Sequence, residues 1–118
     1  MTIVRLSLFL PVALFLVSAP AVSGQVKSED EAIRLVLSAV HKFHLTTLKD
    51  ECIATESVEG SKRFEIVVRE HHTQSCGGDP ETEPRLFSVR VRKSDGLLSS
   101  DVYDGVSYKP VDREFTTK

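Results

Sequence analysis

Asparagine and tryptophan are both missing from the 118 residues of the chain, and cysteine occurs only twice. Without asparagine, the sequence holds no N-glycosylation site and no Cys-His-Asn catalytic set. An excess of positive charge is also missing, since 15 basic residues face 17 acidic ones and the net charge is -2. A basic footprint is the usual electrostatic sign of nucleic-acid binding. The composition therefore argues against nucleic acid as the main partner.

Long apolar runs are scarce, and the longest lies near the start of the sequence. Leu6–Val17 spans 12 residues, fewer than the roughly 20 that a membrane-spanning helix needs. Small residues follow, with an A-x-A pattern at 19–21. These features predict a signal peptide over residues 1–24, cleaved somewhere among 21–24. We expect an exported protein, periplasmic or secreted, with no stable membrane anchor after cleavage; an uncleaved N-terminal anchor is the alternative.

The two cysteines, Cys52 and Cys76, are 24 residues apart. Export to an oxidising compartment predicts that they form a structural disulfide bond. A redox pair normally has the C-x-x-C spacing, and two isolated cysteines make a poor zinc site. These two readings are the alternatives to the disulfide.

The remaining residues, 25–118, predict a single α+β domain. Ser28 and Glu31 form a capping box, and apolar residues at spacings of three and four then predict a helix that ends at about Thr46. From Cys52 onward the apolar period is two, which indicates strands with one buried face. We expect the helix to cover one face of a four-stranded antiparallel sheet (α-β-β-β-β). The predicted strands are 52–58, 63–72, 85–92 and 97–103, with 104–110 as a candidate short edge strand, and the predicted core contains Phe43, Phe64, Ile66, Phe87 and Val89.

The connection 73–84 (TQSCGGDPETEP) is longer than an ordinary hairpin loop, and long loops are commonly functional or disordered. Cys76 ties its start, and Pro80 and Pro84 stiffen the rest. Three carboxylates within residues 79–83 would suit a basic partner surface. We call residues 79–83 the acidic loop and predict that Asp79, Glu81 and Glu83 bind a partner. The alternative is a connector whose charges serve solubility.

A second candidate surface is the sheet face that the helix leaves uncovered, which we call the open face. Alternation places charged side chains on it, among them Arg90 and Arg92. We predict that these two arginines extend the partner-binding surface beside the acidic loop. The alternative is an ordinary solvated face.

Several segments resemble the small exported PepSY-type domains. They are S-E-D-E-A at the helix start, R-F-E-I-V-V-R-E and R-L-F-S-V-R-V in two strands, and D-G-L-L-S-S-D after the hairpin turn. The resemblance covers Ser28 to about Asp101, and Gly96 matches the glycine near the turn into the last strand. It implies one helix before an antiparallel sheet, and a binding or inhibitory role toward exported peptidases. The disulfide-bearing C-G-G-D-P-E-T-E-P segment departs from that pattern.

Catalytic and metal-binding patterns are weak. Among the four histidines, His41 and His44 lie on the helix, and His71 and His72 point to opposite faces at the end of a strand. The acidic loop lacks the sixth-position glycine of an EF-hand, and no G-x-S-x-G motif occurs. Glu70 beside His71 is the nearest approach to an acid–base pair. We predict no catalytic residue, no metal site and no cofactor.

The sequence therefore favours a small exported, non-enzymatic binding protein with a protein partner, such as an inhibitor or an immunity-type protein that masks an exported enzyme. The alternative is a PepSY-like module that binds a small molecule or a cell-envelope component. A deep apolar pocket under the sheet would favour the alternative. The identity of the partner and the oligomeric state do not follow from the sequence.

Overall fold

A computed structural model describes residues 24–116 of the chain. It contains one α-helix, a short 3-10 helix and one antiparallel sheet, so the predicted α+β class is confirmed. The predicted signal peptide falls almost entirely on residues 1–23, outside the described range. In chain order the elements are α1 (Glu29–Lys42), the 3-10 helix (Asp50–Cys52), β1 (Ile53–Glu59), β2 (Arg63–Glu70), β3 (Arg85–Arg92), β4 (Leu98–Ser100) and β5 (Lys109–Pro110).

The helix α1 begins where the capping box predicts. The hydroxyl of Ser28 accepts the N–H of Glu31 at 3.2 Å, and the Glu31 carboxylate reaches back to the N–H of Lys27 at 3.2 Å. These two bonds satisfy backbone donors at the helix start. Within residues 24–116, no helix combines the length and the apolar character needed to cross a bilayer.

The end of α1 at Lys42 differs from the predicted end at Thr46. His44 adopts a left-handed conformation with φ of +50°, and the N–H of Leu45 bonds to the carbonyl of Val40 at 3.1 Å. This is a Schellman-type ending, in which a residue beyond the helix packs back against its last turn. Leu45 is buried as a result. The free energy gained by burying Leu45 favours this earlier helix end over the longer helix that local propensity predicts.

The sheet has five strands in the order β1-β2-β3-β4-β5, and the predicted four-stranded count is wrong. Each strand pairs antiparallel with the next one in the chain. The fifth strand is a two-residue pairing of Lys109–Pro110 with Ser99 and Ser100. It belongs to the tail segment that the sequence marks as a candidate edge strand. Because β5 continues the sheet beyond β4, the two edge strands of the sheet are β1 and β5.

The hydrophobic core lies between α1 and the facing side of the sheet. Phe64, Ile66, Phe87 and Val89 are buried as predicted, whereas Phe43 is only half-buried because it caps the helix at the margin of the core. Val36 and Val40 of α1 pack against these strand residues. The helix thus covers one side of the sheet and leaves the open face to other groups.

Candidate partner-binding site

The disulfide bond between Cys52 and Cys76 anchors the loop 73–84, and the predicted pairing is confirmed. Cys52 ends the 3-10 helix immediately before β1, and it is buried. The Cα atoms of the two cysteines are 5.6 Å apart. The bond therefore holds the first part of the loop against the start of β1. A disulfide of this kind indicates an oxidising compartment.

His72 holds the loop from its inner side. Its Nε2 lies 2.7 Å from Oε2 of Glu70, and its Nδ1 lies 2.6 Å from the carbonyl oxygen of Asp79. The His72 side chain is only 11% exposed. Both partners are acceptors, so the ring satisfies both of them only when each nitrogen carries a proton. The hydrogen bond to the Glu70 carboxylate, and then that to the Asp79 carbonyl, raises the pKa of His72 above its ordinary value.

The glycines of the loop allow this close packing. Gly78 has a φ of +84°, and a Cβ atom placed on it would lie 2.7 Å from the His72 ring. Gly77 has a φ of +77° but faces open space. The backbone at Gly78 therefore lies directly over the imidazole, which only glycine permits.

The three predicted carboxylates of the acidic loop have different surroundings. The Asp79 carboxylate accepts the N–H of Glu81 at 2.9 Å and so organises a turn. Glu83 lies 3.2 Å from Nδ1 of His71, and its carbonyl accepts a bond from Arg69 at 3.2 Å. The Glu81 side chain is exposed and has no hydrogen bond or ion pair within residues 24–116. Of the three, Glu81 is the one whose charge faces only solvent.

The structure does not bring Arg92 to the acidic loop. β3 starts at Arg85, directly after the loop, and Arg92 ends it at the other end of the sheet. Seven strand steps of about 3.4 Å separate these ends by roughly 24 Å. The Arg92 guanidinium instead bonds to both carboxylate oxygens of Asp95, with Nε 2.8 Å from Oδ1. This bonding lowers the pKa of Asp95 to about 2.

Arg90 lies on the open face, but it is covered by the C-terminal segment. Its guanidinium stacks on the ring of Tyr108 at 3.6 Å from the centroid. The Tyr108 hydroxyl donates to Glu65 at 3.1 Å. Arg90 is therefore a packing residue in the centre of the sheet, and the predicted surface that joins it to the acidic loop does not form as a continuous patch.

Sequence reasoning missed a buried polar cluster at the junction of β3 and β4. Asp101 accepts the backbone N–H of Ser88 at 2.9 Å and a bond from Arg85 at 2.9 Å. Ser100 donates to the carbonyl of Ser88 at 2.6 Å and accepts the N–H of Val102 at 3.1 Å. Side chains thus replace the backbone ladder after Ser100, so β4 is shorter than predicted. The run Ser99-Ser100-Asp101 in a weakly apolar strand was the available signal.

The histidines are engaged with acidic partners rather than grouped together. His41 bonds to Asp50 at 2.6 Å and His44 lies 3.2 Å from Glu114. Glu70 contacts His72, whereas His71 contacts Glu83, so Glu70 and His71 do not form an acid–base pair. Among the described residues, no group of three histidine, cysteine or carboxylate side chains has the geometry to hold a metal ion.

Two concave regions are candidate ligand sites. A cavity of about 230 Å³ lies between the end of α1 and the C-terminal segment, where Leu45, Leu86 and Phe115 line it. Drug-sized ligands usually occupy about 300–1,000 Å³. An open cleft of about 540 Å³ beside Val26 and Lys62 lies at the other end of the sheet, next to Arg92. Neither is the deep apolar pocket under the sheet that a small-molecule module would need.

Comparison of the chain with protein-family models, with curated proteins and with solved structures finds no match.

Proposed function

We propose that the protein is a small exported, non-enzymatic binding protein that docks on a protein partner through the acidic loop. A role as an inhibitor or immunity-type protein that masks an exported enzyme fits this arrangement. The PepSY-type resemblance belongs to the same proposal, and the observed order of helix and sheet is the one it implies. Export is supported by the Cys52–Cys76 bond.

The observation that carries the proposal is the fixed geometry of the loop 73–84. A disulfide holds it at Cys76, His72 bonds to it at Asp79, and Arg69 and His71 bond to it at Glu83. A segment held in this way loses little conformational entropy when it binds. Its exposed negative charge would steer a basic partner surface and speed association.

The alternative module for a small molecule or an envelope component has less support. The cavity near Phe115 has a volume of about 230 Å³, which is smaller than most ligand sites. The core between α1 and the sheet is built mainly from apolar side chains, among them Val36, Phe64 and Ile66.

The test is to capture partners from the exported proteins of the source cell with the wild-type protein and with a variant carrying Ser at Asp79, Glu81 and Glu83. We expect the variant to keep the wild-type circular dichroism spectrum and to bind the captured partner with a slower association rate. The difference should shrink as salt concentration rises. Equal association rates for both proteins at low salt would rule out the acidic loop as the contact.

A further inference from the structure

Three segments of the chain meet at the cleft beside Val26 and Lys62, which has a volume of about 540 Å³. The N–H of Val26 donates to the carbonyl of Lys93 at 2.8 Å, and the N–H of Lys93 donates to the carbonyl of Lys62 at 2.9 Å. These bonds hold the N-terminal segment, the turn between β1 and β2 and the end of β3 side by side. Clefts of about 300–1,000 Å³ hold drug-sized groups, so this one has room for the tip of a loop and not for a whole helix.

Two of the four basic side chains that line this cleft have no acidic partner. Arg92 and Lys93 already form ion pairs within the chain. Lys27 and Lys62 are exposed, and within residues 24–116 neither ammonium group forms an ion pair; Glu31 bonds to the backbone N–H of Lys27 only. The sequence has no aspartate or glutamate at 1–23 or 117–118. The cleft therefore carries two unpaired positive charges, and we call it the basic cleft.

The acidic loop carries unpaired charge of the opposite sign on a turn that is already formed. The Asp79 carboxylate accepts only the N–H of Glu81, and the Asp79 carbonyl accepts the N–H of Thr82 at 3.1 Å. These bonds present the unpaired Glu81 carboxylate to solvent. Residues 77–85 are all exposed. A turn fixed in this way loses little conformational entropy when it enters a cleft.

The basic cleft and the acidic loop lie at opposite ends of β2. Lys62 directly precedes β2 (Arg63–Glu70), and the loop follows its other end. Seven strand steps of about 3.4 Å separate these ends by roughly 24 Å, so a chain cannot place its own loop in its own cleft. Two copies can do so by a head-to-tail contact. A contact between equivalent surfaces would instead bring like charges together, which is unfavourable.

We infer that the protein associates head to tail with a second copy of itself, with the acidic loop of one copy in the basic cleft of the next and Glu81 beside Lys27 and Lys62. Another acidic segment could match the charge, but the loop of a second copy is preformed and is present in the same number as the clefts.

The contact is small, because five loop residues compare with about 20–30 residues a side in a standard interface. Exposed ion pairs are also weak. We therefore expect a Kd of about 0.1–1 mM. The inference concerns this chain alone and does not require the proposed function. Where the proposed function holds, a copy seated on the acidic loop withholds it from the partner, so copy and partner compete.

The test follows the full chain, labelled with ¹⁵N, as its concentration rises from about 0.02 to about 1 mM at low salt. We expect the amide resonances of Glu81 and Thr82 in the loop, and of Lys27 and Lys62 in the cleft, to shift with concentration. About 0.5 M NaCl should reduce these shifts about threefold or more, because it screens exposed charges. Association through apolar surfaces would not weaken with salt.

Lys62→Glu and Arg34→Glu form a matched pair of charge reversals. Both side chains are exposed and have no ion pair within the described part of the chain, and Arg34 lies on the helix outside the basic cleft. Both variants should keep the wild-type circular dichroism spectrum. We expect Lys62→Glu to raise the Kd of self-association about threefold or more and Arg34→Glu to change it by less than about 1.5-fold. Equal effects would mean that net charge, and not the basic cleft, governs association.

A mixture of two variants shows whether the two surfaces meet. Glu81→Lys damages the loop, and Lys27→Glu combined with Lys62→Glu damages the cleft, so neither protein should associate alone. Mixed in equal amounts, they supply one intact loop and one intact cleft. We expect them to form a pair and nothing larger, with shifts in the loop of the second protein and in the cleft of the first.

A linear peptide of residues 79–83, acetylated and amidated, tests the choice of a second copy over any acidic segment. It carries the same charges without the fixed turn, so we expect it to bind the basic cleft about fivefold more weakly than the chain does. Three results would overturn the inference: no concentration-dependent shift at low salt, a mixture of the two variants that stays monomeric, and a peptide that binds as tightly as the chain. None of these measurements involves the captured partner, so the inference and the proposed function fail separately.

Discussion

The imidazole of His72 lies 2.7 Å from the carboxylate of Glu70, two residues earlier in the chain. The contact forms because the chain leaves β2 at Glu70 and folds back over the ring at Gly78. The ring also bonds to the Asp79 carbonyl at 2.6 Å. One histidine thus joins the end of a strand to the acidic loop, and its ring can donate to both acceptors when it is protonated.

We expect the contribution of His72 to the stability of the folded loop to be fully present below about pH 6.5, while Glu70 is ionised, and to be lost as pH rises through the pKa of His72. Because that pKa is raised in the folded state, the protonated form stabilises the fold, and this contribution is lost on deprotonation. NMR titration of the His72 ring, with urea unfolding at about pH 6 and about pH 9, measures both effects. Glu70→Gln should lower the pKa of His72 and flatten the pH dependence. A His72 that titrates at or below about 6.5 would contradict the argument.

The glycines offer a matched pair of substitutions in the same loop. Gly77→Ala and Gly78→Ala both place a side chain at positive φ, which costs roughly 1–2 kcal/mol. Only Gly78→Ala also places a Cβ 2.7 Å from the His72 ring. We therefore expect Gly78→Ala to lower the free energy of unfolding more and to lower the pKa of His72, whereas Gly77→Ala leaves that pKa unchanged. Equal effects on both quantities would mean that the ring does not lie under Gly78.

Reduction of the Cys52–Cys76 bond should lower the free energy of unfolding by about 3 kcal/mol, because the bond closes a loop of 24 residues. Alkylation of the non-reduced protein followed by mass spectrometry should find no free thiol. Chemical denaturation with and without reductant measures the stability loss. A variant with Ser at both positions is the control, since its stability should not respond to reductant.

Phe64 tests the assignment of the buried face. It is fully buried on β2, so Phe64→Ala should lower the free energy of unfolding by about 3–5 kcal/mol. Val58→Ala, at an exposed position of β1, should change it by less than about 0.5 kcal/mol. Urea denaturation of the two variants provides the measurement. A loss below about 1 kcal/mol for Phe64→Ala would place that ring outside the core.

The parts of the fold that depend on local patterns could be predicted from the sequence. Alternation gave the bounds of β3, from Arg85 to Arg92, and the capping box at Ser28 gave the start of α1. The end of α1 could not be read in the same way. It depends on the burial of Leu45 beyond a left-handed His44, which is a tertiary effect with no glycine to signal it.

The candidate site shows the same division. Sequence spacing identified Cys76 and the acidic loop, because a disulfide and a proline-rich segment are local features. The contacts of His72 with Glu70 and with the Asp79 carbonyl depend on how the loop folds back, and the spacing of residues in the sequence does not encode that fold. The topology itself separates Arg92 from the loop, because an antiparallel β3 that starts after Pro84 carries Arg92 to the other end of the sheet.

Glu81 allows the partner-binding role of the loop to be separated from its folding. The Asp79 carboxylate organises a turn and Glu83 contacts His71, whereas Glu81 has no polar contact in the described part of the chain. Glu81→Gln should therefore leave the free energy of unfolding within about 0.5 kcal/mol of wild type. The Glu81 charge faces only solvent and is therefore free to steer an approaching partner. We expect Glu81→Gln to slow association with the captured partner at low salt by about twofold.

Glu29→Gln is the matched control for Glu81→Gln, because it removes the same charge at the start of α1. The last turn of α1 lies near the base of the loop 73–84, because His41 contacts Asp50, two residues before the cysteine that is bonded to Cys76. The helix has 14 residues, so its start at Glu29 lies about 20 Å from that end. Beyond a Debye length of about 10 Å the field of Glu29 is largely screened, and its removal should hardly change the association rate. Stopped-flow association measured across a salt series decides between the two positions. If both variants slow association equally, net charge rather than the acidic loop steers the partner, and the loop is a connector between β2 and β3.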